Sequence, residues 1–221
     1  MTPDARAEPA VAMGYRKGED TRNRILQAAL HSFGESGFKG ATTRQIALAA
    51  GVNLPAIKYY FGGKQGLYDA CAIDIVERYQ HRMLALVAET HAELRHDMTP
   101  AAARERLKQV MRGLAAMLVE SESWSGFVMR EMTERGTAFT ILYDNLWAPG
   151  IALTAGLLGR ARGAAAPSPV HRIRALLLIS SLSAFSASRP VSLRYLEWTD
   201  VADDRFGAIV EVIDWQIDEL R

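Results

Sequence analysis

Residues 42–64 read TTRQIALAAGVNLPAIKYYFGGK, and the order of caps, apolar positions and breakers in this stretch decides the fold. Thr42 and Gln45 stand at the two ends of an S/T-x-x-E/Q capping box, which starts a helix by satisfying two otherwise orphaned backbone donors. Ile46, Ala49 and Ala50 give that helix one short apolar face. Gly51 ends it where a positive φ is required, Val52 fills the angle, and Asn53 is a strong N-cap for a second helix. Pro55 falls in the first turn of the second helix, where a missing N–H costs nothing. Ile57 and Phe61, four residues apart, form its buried side. Leu54, Pro55, Ala56, Lys58 and Tyr59 are left facing outward. Two short helices across a glycine turn, the second with a compact non-acidic surface, make a helix-turn-helix able to enter a major groove. The bare outline is shared by any helical hairpin, so a helical protein-interaction module without specific DNA binding is the alternative reading.

Charge distribution favours the first reading. The whole chain carries a net charge of +1, which argues against general affinity for nucleic acid. Between Gly14 and Lys64, however, eight basic residues (Arg16, Lys17, Arg22, Arg24, Lys39, Arg44, Lys58, Lys64) face three acids (Glu19, Asp20, Glu35), a net of +5 that leaves −4 for the remainder. A basic head on an acidic body suits DNA binding confined to one end.

The stretch from about Asp20 to Tyr68 resembles the signature of the TetR/AcrR family of one-component bacterial regulators. Shared features are the Thr-rich start, Ile-Ala, Ala-Gly-Val, an aromatic-Phe ending and a Lys after a short Gly turn. The resemblance implies that Tyr60 and Lys64 touch phosphates and that Thr43 and Arg44 reach the groove edge. It also implies that Pro55, Ala56 and Lys58 face bases, with Leu54 and Tyr59 on the same outward side. Many members carry Gly, Thr and Tyr at the positions of Pro55, Ala56 and Lys58. Those departures bear on which operator is read.

With 221 residues, the chain accommodates a small head and a larger body with its own core. The expected architecture is all-α, with no strand alternation and no internal repeat. Residues 1–17 are aperiodic and rich in Ala, Pro and charge, so a disordered arm is expected there. A three-helix DNA-binding domain then spans 18–65, and a helical-bundle ligand-binding and dimerisation domain spans 66–221. The first helix runs from about Glu19 to Ser36 with Gly37 as its stop. A fourth runs from Lys64 to about Glu93, long enough to join head and body. Further helices are expected over Pro100–Glu120, Glu122–Arg135, Ala138–Arg160, Val170–Ala187 and Asp203–Leu220. Loops separate them over Gly159–Pro169 and around Pro190–Trp198.

The body resembles, at scattered positions, the effector domain of the CecR/YbiH-like branch of the same family. The matching positions are the run WSGFVMREM from Trp124 to Met132, the helix after Trp147, and Arg189-Pro190. This implies a domain that senses a small-molecule effector and forms a homodimer on a double-stranded DNA operator. The last two helices would pair across a two-fold axis. They offer Leu176, Leu177, Ile179, Ser180, Ser183 and Ala184 on one, and Phe206, Ile209, Val210, Ile213 and Ile217 on the other. Candidate effector contacts are Trp124, Phe127, Arg130, Met132, Phe139, Tyr143, Trp147 and Phe185, although such stripes more often serve as core than as a ligand site. Arg130 and Glu131 interrupt an apolar segment, as a polar anchor or a structural ion pair. Leu84 and Val87 on the long helix are expected to form part of the pocket wall.

Other functions find little support. The five histidines are scattered without metal-ligand spacing, and no G-x-S-x-G, P-loop or G-x-G-x-x-G is present. Neither catalysis nor a cofactor is expected. The single cysteine, Cys71, allows no disulfide framework within the chain and suits a reducing cytoplasm; its place on an apolar helix face reads as core more than as a redox sensor. No basic-then-apolar segment opens the chain, and the apolar run from Ala175 to Phe185 is half a membrane span, so no membrane association is expected.

Overall fold

The computed structural model describes residues 8–120 and 122–219, and every regular element among them is helical. In chain order the α-helices are α1 (Glu8–Gly40), α2 (Thr43–Ala49), α3 (Leu54–Phe61), α4 (Lys64–Leu94), α5 (Pro100–Val119), α6 (Glu122–Glu134), α7 (Thr137–Leu142), α8 (Ala148–Ala161), α9 (Pro169–Ser181), α10 (Arg189–Tyr195) and α11 (Asp203–Asp218), and a 3-10 turn over Leu182–Phe185 follows α9, where the sequence led us to expect helix to Ala187.

The head is built on α1. Ile25, Leu26, Ala29, Leu30 and Phe33 form its inward stripe at the spacing of one helix face, and each is fully buried in a core that also holds Ile46, Ala47 and Ile57 of the two following helices. Gly37 interrupts α1 with φ 69° and ψ 177°, so the regular helix stops where the sequence places its end. Its start differs. Helix is described from Glu8, so residues 8–17 are not the expected irregular arm; Pro9 sits in the first turn, where it is tolerated, and alanines follow. Residues 1–7 lie outside the described residues.

From Lys64, α4 runs for 31 residues, about 46 Å at 1.5 Å per residue, and passes from the head into the body. Its buried side carries Leu67, Tyr68, Cys71, Ile75, Tyr79 and Met83. In the body, α5 packs on α8, α8 on α9, and α11 lies along α5. Lys108 and Arg112 of α5 pair with Asp218 and Asp214 of α11, flanking the buried Ile209, Ile213 and Ile217.

Several expectations are corrected. The helix expected over Ala138–Arg160 carries a π-helical turn at Tyr143–Trp147. Pro149 explains it, because its ring would clash with the carbonyl four residues back in a regular ladder, and a wider turn relieves this. The segment around Pro190 forms α10 instead of an irregular stretch, with the proline in its first turn. Leu84 is 66 % exposed and forms no pocket wall, because it lies on the outer side of α4. No single described helix is long and apolar enough to cross a membrane.

Candidate nucleic-acid interface

Local chemistry sets α2 and α3 in place. The Thr42 Oγ1 accepts from the Gln45 N–H at 3.2 Å, and the Gln45 Oε1 accepts from the Thr42 N–H at 3.1 Å, so the capping box is closed in both directions. Gly51 takes φ 63°, a left-handed conformation open to glycine at little cost. Asn53 Oδ1 then accepts from the Ala56 N–H at 3.1 Å and starts α3. One detail differs: Ala47 is buried beside Ile46 and Ala50, whereas Ala49 is exposed.

On the second helix four of the five residues expected to face outward are exposed. Ile57 is buried, while Leu54, Pro55, Lys58 and Tyr59 are exposed and line one shallow surface. Ala56 is half-buried behind them. Tyr59 is 82 % exposed, and so is Leu48 on α2. Sequence reading did not single out Leu48, whose only signal is that it falls off the Ile46–Ala47–Ala50 face. Arg44 is exposed and Thr43 half-buried at the start of α2. Tyr60 is half-buried, its ring edge-on to Tyr59 at 4.9 Å.

A two-glycine turn, Gly62 (φ 74°) and Gly63 (φ 133°), joins α3 to α4. Gly66 brings the two helices into contact, since a Cβ there would stand 1.9 Å from the Phe61 carbonyl oxygen. The recognition helix is therefore fixed against the first turn of the connecting helix. Lys64 opens that turn with its ammonium 4.7 Å above the Phe38 ring. Free N–H groups at a helix start together with a lysine form a ready phosphate site.

The candidate effector residues fall in separate places. Phe139 stacks with Tyr143 at 6.0 Å and meets Trp147 edge-on at 5.4 Å, forming one aromatic group around the π turn. Phe185 stacks on Trp198 at 6.2 Å. Phe127 packs on Tyr68 at 4.9 Å, and Tyr68 meets Phe33 at 4.8 Å, so these rings join head to body. Trp124 is buried and Met132 is 47 % exposed. Arg130 clasps the end of α1: its guanidinium donates to the Gly34 carbonyl at 3.2 Å and the Glu35 carbonyl at 2.8 Å, and pairs with Glu134 at 2.8 Å. That is a structural use.

The neighbouring Glu131 is fully buried and accepts from the Tyr68 hydroxyl. Burial, and then this carboxylate, push the Tyr68 hydroxyl well above the usual tyrosine range. Burial also raises the Cys71 thiol, which keeps it protonated and disfavours reaction as a thiolate. Among the described residues, no three His, Cys, Asp or Glu side chains are placed to hold a metal.

Comparison with known proteins agrees with this geometry. Residues 25–71 match the family model described as bacterial regulatory proteins, tetR family, and residues 103–219 match the C-terminal domain of the HTH-type transcriptional dual regulator CecR. The chain is 31 % identical over 207 residues to CecR of Shigella flexneri, covering 91 % of this chain and 92 % of that one. It shares its fold with a putative fatty acid metabolism regulator of Clostridium perfringens (TM-score 0.65, 18 % identity, 88 % and 96 % of the two chains). The same holds for AibR, crystallised with isovaleryl coenzyme A and operator DNA (TM-score 0.57, 15 % identity, 87 % and 97 %). The capped helix-turn-helix head and the helical body that follows it thus place the chain in the tetR family of bacterial regulatory proteins, in the branch with a CecR-type C-terminal domain.

Proposed function

We propose that this DNA-binding transcriptional regulator is a homodimeric repressor that holds a palindromic operator and releases it when a small molecule binds. The observation that carries the reading is α3, a doubly anchored helix whose outward face of Leu54, Pro55, Lys58 and Tyr59 contains no acid and is open to solvent. On that face Lys58 reads bases, with guanine O6 and N7 as its natural acceptors. Lys64 and Tyr60 hold phosphates, and Thr43 and Arg44 meet the groove edge.

Dimerisation is supported by an uncovered apolar stripe. Ile173, Leu176 and Leu177 of α9 are 56 %, 47 % and 66 % exposed at helical spacing, and Val212 and Trp215 of α11 are 53 % and 62 % exposed. Surface of this kind invites a partner, and a second copy supplies a matching one. The α11 residues differ from those expected, because Ile209, Ile213 and Ile217 are already spent inside the protomer.

Release follows from linkage. A hundredfold loss of operator affinity requires a coupling of roughly 2.7 kcal/mol between the two sites. The connecting helix α4 transmits it, running unbroken from Lys64 into the body. Selection from random duplexes, followed by titration at several salt concentrations, tests the proposal. Spaced palindromes and a steep salt dependence are expected. Failure to enrich any sequence, with flat salt dependence, would favour a protein-interaction module instead.

A further inference from the structure

We infer that the cleft between head and body is a binding site for a small organic cation, anchored by the Glu131 carboxylate and walled by the rings of Phe38 and Tyr68. The cleft has a volume of about 550 Å³, within the usual range of roughly 300–1,000 Å³ for small-molecule sites. The end of α1, the first turn of α4, the C-terminal part of α6 and the start of α7 form its walls.

Its chemistry is that of a cation site. Glu131 is 0 % exposed, its Oε1 accepts from the Tyr68 hydroxyl, and its Oε2 has no hydrogen-bond partner. A buried carboxylate oxygen without a partner is costly and rare in a folded protein. The adjacent guanidinium does not relieve it, because Arg130 is committed to the Gly34 and Glu35 carbonyls and to Glu134. Only a side-chain-free residue, Gly136, packs over the buried carboxylate: a Cβ there would stand 3.1 Å from Oε1 and 3.3 Å from Oε2. Phe38 and Tyr68 meet edge-on at 5.0 Å, and Phe38 already accepts one ammonium, that of Lys64. An aromatic wall beside a carboxylate is the usual recognition chemistry for organic cations. The absence of a third metal-ligating group among the described residues favours an organic cation over a metal ion. Lys39 also lines the cleft, at its exposed edge, so a ligand carrying an acidic group would direct that end outward.

The site has a direct route to the operator. Lys64, the candidate phosphate contact, shares the Phe38 ring, and the cleft lies where Arg130 ties α6 to the end of α1. A cation seated on Glu131 draws on both contacts and weakens DNA binding. This consequence rests on the operator reading above; the binding of the cation does not.

Calorimetric titration of the full-length protein tests the inference, with benzamidinium as the probe and neutral benzamide, of the same shape, as its control. Saturable binding of one benzamidinium per chain is expected, at least about tenfold tighter than benzamide. Glu131→Gln is expected to reduce benzamidinium affinity by a similar factor and leave benzamide unchanged. Gly136→Ala keeps the carboxylate and, with φ −73° at that position, a backbone alanine accepts. It is expected to block the probe by filling the space beside both oxygens that a bound cation would need, and it decides the matter if Glu131→Gln fails to fold. Equal affinities for the two probes, no saturable binding by the unsubstituted protein, or unchanged affinity in the alanine variant would overturn the inference. Titration of the operator complex is read separately. Binding of benzamidinium without any DNA binding would remove the operator reading and leave the cation site standing.

Discussion

The contact that holds α2 to α3 and the contact that holds the head to the body are made by different physics. The first is local. Thr42 and Gln45 close a box over three residues, Asn53 caps the next helix, and Gly51 turns the chain between them. The second joins residues distant in the chain through the Phe33–Tyr68–Phe127 rings, a few polar bonds and one close backbone approach. Gly34 and Gly126 let α1 and α6 touch, a Cβ on Gly34 standing 3.1 Å from the Phe127 nitrogen. Arg130 bonds two carbonyls of α1, and Tyr68 bonds a carboxylate left half-satisfied. The reading unit is thus fixed by its own sequence, whereas its orientation depends on a junction holding a buried carboxylate oxygen without a hydrogen-bond partner. A regulator needs rigidity in the first place and a responsive contact in the second.

Truncating the ring cluster that bridges the two regions should have the largest effect. Phe33 is fully buried and meets Tyr68 at 4.8 Å, so Phe33→Ala should cost about 3–5 kcal/mol in urea unfolding. A loss below about 1 kcal/mol would mean that the cluster does not hold head to body. Arg130→Ala removes the clasp without touching the core and should cost about 2 kcal/mol. It should leave the helicity of α2 and α3 intact, and amide exchange that rose there first would contradict the division drawn above.

The junction also carries a pH signature. Tyr68 is held protonated in the folded state by burial and by Glu131, so its raised pKa contributes stability below the ordinary tyrosine value near 10. That contribution should fall by about 1.4 kcal/mol per pH unit above it. Tyr68→Phe should flatten the alkaline limb, and an unchanged limb would show that another group controls it. The smallest effect belongs to the local caps. Thr42→Ala should cost about 1 kcal/mol and weaken all duplexes alike, since it loosens α2 without altering the face of α3.

The same division explains what was legible in the sequence. Caps, the Gly51 turn and the Pro55 position are read from neighbours, and they stand as expected. The exchange of Ala49 for Ala47 in the head comes from a helix of 7 residues, too short for its periodicity to fix a phase. In the body, periodicity showed that α11 has an apolar face but not what covers it. The Ile209–Ile213–Ile217 stripe faces α5, and Val212 and Trp215 carry the open side. The large side chains expected at one effector site lie in separate places because helical spacing and size carry no information on which helices meet. Glu131 was noticed as an interruption, but its partner Tyr68 lies 63 residues away, beyond any local pattern.

In the proposed dimer, two recognition helices held by one symmetric body read one DNA face together. Anisotropy titration of a selected palindromic duplex against the same duplex lengthened by about 5 base pairs between half-sites, half a helical turn, tests it most directly. The lengthened site presents its halves on opposite faces, so its affinity should drop by about a hundredfold or more, toward non-specific binding. Equal affinity for the two duplexes would contradict a two-fold dimer gripping both half-sites at once.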